Sequence, residues 1–86
     1  MTRIRQRLQA LGLELPAAAK PVGAYVPAVR AGGLVLTAGQ IPTRDGRLVA
    51  AGKVPTDVPL PEAQAAARQA ALNALAAVEA EAGSLD

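Results

Sequence analysis

The sequence predicts an incomplete α+β domain, in which an N-terminal helix precedes a three-stranded antiparallel meander and one long packing helix. Three observations predict this class: helical spacing of apolar residues near the start, short apolar segments separated by Gly-containing turns, and a long alanine-rich stretch near the end. The 86 residues suffice for one small domain. Alanine fills 21 positions and Tyr25 is the sole aromatic residue, so the core is thin. We therefore expect subunit association or further sequence to complete it.

The first helix is predicted to run from Thr2 to about Leu11. Thr2 is a suitable N-cap and Gly12 a suitable left-handed stop. The apolar residues that share one face are Ile4, Leu8 and Leu11. The arginines at positions 3, 5 and 7 project elsewhere, and we interpret them as a solvated face of a docked helix, with an RNA- or lipid-contacting surface as the alternative. Residues 13–23, which contain two prolines, are predicted to be a connector. Residues 1–23 are therefore expected to form the N-terminal helix and connector, and 24–86 the N-terminal part of a domain whose second half is absent.

Three strands are predicted next, at Tyr25–Arg30, Leu34–Gln40 and Arg47–Ala51. Gly32-Gly33 and Asp45-Gly46 are typical turn dipeptides between such segments. The middle strand is apolar on both faces, which indicates that it is covered on both sides or by another subunit. These strands together predict the meander.

The long helix is predicted from Pro61, a residue favoured at a first helical position, to about Ala82, with Gly83 as its stop. A helical wheel places on one side, expected to face the sheet, Leu60, Ala63, Ala67, Ala70, Ala71, Ala74 and Val78. The polar residues of the opposite side, expected to be exposed, are Gln64, Arg68, Gln69, Asn73 and Glu79.

Composition excludes several kinds of site. The sequence contains neither His nor Cys, so zinc-finger ligands, a Cys nucleophile, a Ser–His–Asp triad and disulfides are excluded; we expect no metal and no cofactor. A net charge of +2 does not favour nucleic acid. No apolar run has the length of a membrane span, and we expect a cytoplasmic protein without a membrane partner.

One segment is a candidate binding site: Thr37-Ala38-Gly39-Gln40-Ile41-Pro42. Glycine at the end of a buried strand lets a ligand or another backbone approach closely, and Gln40 adds an amide donor and acceptor. A plain strand terminus explains the same pattern, so both interpretations remain open at this point.

The sequence resembles the RidA/YjgF family, also called the endoribonuclease L-PSP family, of the chorismate-mutase-like fold. The resemblance extends from Tyr25 to Asp86. In order, the matching motifs are YVPAV before the first turn, LTAGQIP, the Asp-Gly turn with its strand, and the helix EAQAAARQAALNALAAVEAEAG with its Gly-x-Leu-Asp ending. The N-terminal helix is similar to that of a longer-headed subgroup.

The resemblance implies a homotrimer with clefts between subunits, where enamine and imine intermediates are hydrolysed to 2-oxo acids and ammonia. It implies substrate-binding roles for Tyr25, at the position of the cleft tyrosine, and for Gly39, at the backbone site beside the substrate. Ala38 stands where many members have serine, and with Gln40 it completes the predicted substrate-binding set. A core contact is the alternative role of Tyr25.

The family's carboxylate-binding arginine is expected beyond Asp86, so we assign no catalytic residue and expect the 86-residue chain to be inactive. Two further functions remain open. The first is a non-catalytic, trimeric ligand-binding or interaction module, which the missing hydroxyl at Ala38 favours. The second is RNA binding or cleavage, suggested by the family's older label and the N-terminal arginines, although one tyrosine provides little base stacking and a nucleic-acid partner is not expected.

Overall fold

The computed structural model describes residues 3–18 and 23–86. The predicted cap Thr2 and part of the predicted connector, residues 19–22, lie outside the described residues. In chain order the elements are helix α1 (Arg3–Ala10), strands β1 (Ala28–Ala31), β2 (Leu34–Thr37), β3 (Thr43–Arg44) and β4 (Arg47–Leu48), and helix α2 (Leu60–Ala82). The predicted α+β class and the two predicted helices are confirmed.

The strands form two separate antiparallel hairpins, so the three-stranded meander is wrong in its pairing. In the first hairpin, β1 pairs with β2 from Ala28↔Thr37 to Ala31↔Leu34 across the Gly32-Gly33 turn. In the second hairpin, the residues predicted to extend the meander pair instead with β3, as Thr43↔Leu48 and Arg44↔Arg47.

The turn at Asp45-Gly46 explains this local pairing. Asp45 has φ 53° and Gly46 has φ 79°, which is the pair of left-handed conformations that closes a two-residue hairpin. β2 also ends at Thr37 rather than at the predicted Gln40, and β1 begins after Pro27, which has no N–H to donate to a ladder.

Helix α1 is anchored to the end of the chain. The backbone N–H groups of Arg3 and Ile4 donate to the two carboxylate oxygens of Asp86, at 2.9 and 3.0 Å. Two helix N–H groups that have no partner within their own helix are therefore satisfied by a residue at the other end of the sequence. Leu8 is buried, and Gly12, with φ 73°, follows the helix as predicted.

Helix α2 packs against β1, β2 and β3, but not with the predicted face. Its buried residues are Leu72, Asn73, Ala76 and Ala77. Ala67 and Ala71, expected to face the sheet, are exposed, and Asn73, expected to be exposed, is buried. Alanine occurs on every side of this helix, so the apolar pattern could not distinguish the faces.

One face of the first hairpin is uncovered in the part of the chain that the structure describes. Cross-strand partners point to the same side of a sheet, so Val29 and Leu36 share a face with Leu34 and Ala31. Val29, Leu34 and Leu36 are exposed, whereas Ala28, on the other face, is buried. An apolar sheet face thus remains available to a partner.

Candidate ligand-binding cleft

An open cleft of about 1350 Å³, which we call the central cleft, lies among the described residues. It is lined by residues of α1, by residues 13–17, by residues of the segment 39–46 and by one face of α2. This volume exceeds the roughly 300–1,000 Å³ of a typical small-molecule pocket, so the cleft accommodates a small ligand without enclosing it.

Three of the four residues predicted to bind substrate lie on this cleft. Tyr25, Gly39 and Gln40 line it, and Ala38 is not among the lining residues. Tyr25 is 48% exposed, so its ring is not enclosed in the core. Ala38 is held in the chain's own hydrogen bonds, since its N–H donates to the Pro27 carbonyl at 2.9 Å and its carbonyl accepts from Gln40 Nε2 at 3.0 Å.

The described residues around position 39 do not require that it be glycine. Its φ lies outside the left-handed range, and no described atom beyond its chain neighbours would lie within 4 Å of an added Cβ. Gly39 is one of the residues that line the central cleft. Neither turn geometry nor packing within the described residues therefore requires glycine here; the same is true of Gly33, but Gly33 does not line the cleft.

Asn73 is the residue of the cleft that sequence reasoning missed. It is 8% exposed, and its Nδ2 donates to the carbonyl oxygens of Ile41 and Thr43, both at 3.0 Å, and to Thr43 Oγ1 at 3.2 Å. Its side-chain oxygen accepts from Gln69 Nε2 at 3.1 Å. An asparagine among alanines, in a helix interior that disfavours it, was the available signal.

The charged residues of the cleft are of both signs. Arg44 and Arg68 line it together with Glu14 and Asp45. The guanidinium of Arg5 donates to both carboxylate oxygens of Glu79 on α2, with Nε to Oε2 at 2.7 Å. This pairing lowers the pKa of Glu79 and raises that of Arg5, in each case chiefly through the hydrogen bonds between the two side chains. One of the three N-terminal arginines is thus engaged within the chain.

The chemistry available at the cleft is that of amides, hydroxyls, guanidinium groups, carboxylates and backbone. Among the described residues there is no cluster of three or more Asp or Glu side chains that could hold a metal ion. No helix in the described part of the chain is both long enough and apolar enough to cross a membrane. The amide, hydroxyl and guanidinium groups at the cleft are suited to binding carbonyl and carboxylate oxygens and to orienting a water molecule.

Solved structures, among them these two, resemble most of this fold. One is a "putative endoribonuclease" from Shewanella oneidensis MR-1, with a TM-score of 0.87 and 40% identity, matched over 94% of this chain and 54% of that one. The other is the protein Atu1372, of unknown function, from Agrobacterium tumefaciens, with a TM-score of 0.76 and 42% identity, matched over 90% of this chain and 46% of that one.

Sequence comparison agrees. Protein TCP17 of Trypanosoma cruzi is 38% identical over 84 residues, which are 98% of this chain and 52% of that protein. The chain therefore spans about half the length of the relatives it matches. Residues 5–86 match the family described as "YjgF/chorismate mutase-like, putative endoribonuclease". The resemblance and the fold drawn from the sequence are confirmed, and the chain belongs to the YjgF/chorismate mutase-like family.

Proposed function

We propose that the central cleft supplies part of a site for a 2-oxo acid and its imine or enamine, in a protein that hydrolyses such intermediates to 2-oxo acids and ammonia. The observation that carries this proposal is Gly39, a residue of the cleft wall that is glycine although its φ and its described surroundings would accept alanine. A ligand that touches the main chain accounts for that glycine. Membership of the YjgF/chorismate mutase-like family supports the same function.

The neighbouring side chains fit such a ligand. Tyr25 brings a hydroxyl and the Gln40 side chain an amide to the same cleft. Hydrolysis of an imine requires water to add to the C=N carbon and ammonia to leave from the resulting carbinolamine, so orientation of one water is the main requirement. These groups can hold the carbonyl end of the substrate and that water without histidine or metal.

The substrate carboxylate calls for an arginine fork, and none of Arg30, Arg44, Arg47 and Arg68 takes the family's position for it. Under the proposal the rest of the site comes from sequence beyond these 86 residues and from a neighbouring subunit of a homotrimer. The uncovered apolar face of Val29, Leu34 and Leu36 supports association with another subunit. A cytoplasmic location stays a prediction.

The test is a titration of the ¹⁵N-labelled chain with pyruvate, followed by NMR. We expect amide shifts at Gly39 and Gln40, and their loss in Gly39→Ala. Gly33→Ala is the matched control, since an added Cβ there also meets no described atom within 4 Å and its φ is not left-handed. Both variants should remain folded. Unchanged pyruvate shifts in Gly39→Ala, or no shifts in the parent chain at tens of millimolar pyruvate, would refute the proposal.

Activity is tested separately, as ammonia release from freshly generated 2-aminoacrylate. We expect the 86-residue chain to release ammonia only at the spontaneous rate of hydrolysis, because the carboxylate-binding arginine is expected outside these residues. Turnover by this chain alone would contradict that expectation. Pyruvate binding by the complete protein without turnover would instead favour the non-catalytic module, the alternative that Ala38 suggests.

RNA cleavage is a second candidate, because the matching family and the Shewanella oneidensis structure are both described as "putative endoribonuclease". Arg5 is engaged by Glu79, which leaves a smaller basic surface on α1 than the sequence suggested. The discriminating measurement is RNA affinity after Arg3, Arg5 and Arg7 are changed to Gln. Affinity that survives these changes would exclude a basic-helix binding mode.

A further inference from the structure

The segment that follows Gly39 and Gln40 is tied to helix α2 by one side chain. Asn73 Nδ2 donates to the carbonyl oxygens of Ile41 and Thr43, so it contacts the backbone on both sides of Pro42. A further contact joins the same amide to Thr43 Oγ1. Residues 41–43, which we call the tethered segment, therefore have their position set by α2 as well as by the hairpin that follows.

The β3–β4 ladder leaves the carbonyl of Thr43 without a partner on β4, and Asn73 supplies one. Arg44 and Arg47 flank the two-residue turn and exchange the ladder hydrogen bonds, so the Thr43↔Leu48 pair is a non-hydrogen-bonded one whose backbone groups point outward. Asn73 meets the Thr43 carbonyl on that outward side. The N–H of Thr43 donates to the Ile41 carbonyl at 2.8 Å, which folds the tethered segment tightly around Pro42.

The orientation of the Asn73 amide is itself determined. Gln69 lies one turn earlier on α2, and its Nε2 donates to Asn73 Oδ1. With the oxygen occupied by Gln69, the nitrogen is directed at the tethered segment. Gln69 and Asn73 both line the central cleft, so this chain of hydrogen bonds runs along the wall on which Gly39 and Gln40 are displayed.

Within the described chain, the hydrogen bonds donated by Asn73 are confined to the tethered segment. Alanine is the commoner residue along α2 and is favoured there, whereas asparagine in a helix interior is disfavoured. Among the described residues, Asn73 donates to Ile41 and Thr43 and not to β1 or β2, the hairpin that α2 also packs against.

We propose that Asn73, oriented by Gln69, is a positioning residue that holds the backbone of Gly39 and Gln40 in its ligand-binding conformation. The ligand part rests on the proposed function, since the ligand is the 2-oxo acid of the preceding section. The positioning part concerns the protein without ligand and is measured independently.

The experiment compares the parent chain with Asn73→Asp, which keeps the side-chain shape and replaces the donor by an acceptor. Thr43→Val is the matched control, because it removes the Oγ1 contact and leaves both carbonyl contacts. The readouts are ¹⁵N order parameters and amide shifts of residues 39–44, those of the β1–β2 hairpin, and pyruvate affinity. We expect lower order parameters at Gly39 and Gln40, an unchanged hairpin, and about tenfold weaker pyruvate binding in Asn73→Asp, equivalent to about 1.4 kcal/mol. Thr43→Val should resemble the parent chain.

Order parameters and pyruvate affinity in Asn73→Asp that equal those of the parent chain would overturn the proposal. An equal loss of order in residues 39–44 and in the β1–β2 hairpin would also overturn it, because a purely structural role predicts that result. If Asn73→Asp does not fold, Gln69→Ala supplies the same test, because it removes only the group that orients Asn73. A parent chain that binds no pyruvate refutes the proposed function, whereas the order parameters at residues 39 and 40 still decide whether Asn73 positions them.

Discussion

Substitution of Gly52 by alanine should destabilise the protein more than any other glycine-to-alanine change for which the structure shows the surroundings. Gly52 lies in the loop before α2 and has φ 128°, a conformation that side chains other than glycine rarely adopt. An added Cβ would lie 2.6 Å from Asp57 Cβ and 3.1 Å from its Oδ2. Both the local backbone and a neighbouring side chain thus oppose the change.

Asp57 cannot move away without loss. Its Oδ2 accepts from the backbone N–H of Lys53 at 3.0 Å, and its own N–H donates to the Lys53 carbonyl at 2.7 Å. Backbone strain of this kind costs about 1–3 kcal/mol, and loss of one hydrogen bond about 1 kcal/mol. Reduced entropy of the unfolded chain offsets about 0.4–1 kcal/mol. The expected net loss in the free energy of unfolding is about 2 kcal/mol, or roughly 10 °C in Tm for a domain of this size.

The assay is urea and thermal denaturation followed by circular dichroism at 222 nm. Gly33→Ala is the control, because it adds the same methyl group with no described atom within 4 Å and no left-handed φ. We expect the control to remain within about 0.5 kcal/mol of the parent protein. A Gly52→Ala protein as stable as Gly33→Ala would refute the reasoning, since it would mean that neither the φ nor the Asp57 contact matters.

Two further predictions concern the anchoring of α1. Glu79→Gln should weaken the pH dependence of stability: the Glu79 pKa is lowered by Arg5, so the contribution of this pair is complete above the ordinary glutamate pKa of about 4.3 and disappears as the pH falls through the lower folded-state value. Urea midpoints measured from pH 7 to pH 3 should fall further in the parent than in the variant, and parallel curves would contradict this. Asp86→Ala should destabilise α1 by about 1 kcal/mol, because Arg3 and Ile4 lose their cap. Asp86→Asn should retain only part of it, because its Oδ1 still accepts one N–H whereas its Nδ2 cannot accept the other. Hydrogen exchange in α1 that is the same in all three proteins would exclude a capping role.

The sequence predictions were correct for features that depend on neighbouring residues and wrong for pairing between distant ones. The Asp45-Gly46 turn, the stops at Gly12 and Gly83 and the beginning of α2 depend on neighbouring residues, and each was predicted. Strand pairing depends on distant residues, and there the meander was wrong: the Asp45-Gly46 hairpin closes on itself and the chain between Thr37 and Thr43 is not strand.

The face of α2 was wrong for a related reason. Hydrophobic periodicity identifies a buried face only where apolar and polar residues lie on different sides of a helix, and alanine occurs on every side of α2. A buried polar residue such as Asn73 is stable only when partners from another part of the chain satisfy it, and Thr43 lies 30 residues away. No local pattern contains that information.

The sequence by itself determined the class of fold, the family and the segment with Gly39 and Gln40, because these depend on residue order and local backbone preference. Tertiary structure decided which side of α2 is buried, that Asp86 caps α1, and that Tyr25, Gly39 and Gln40 face one cleft. The physical reason is that hydrogen bonds and burial between distant residues form only when the chain folds. Asn73 shows the difference: its place in the helix was predicted, and its contact with the tethered segment was not.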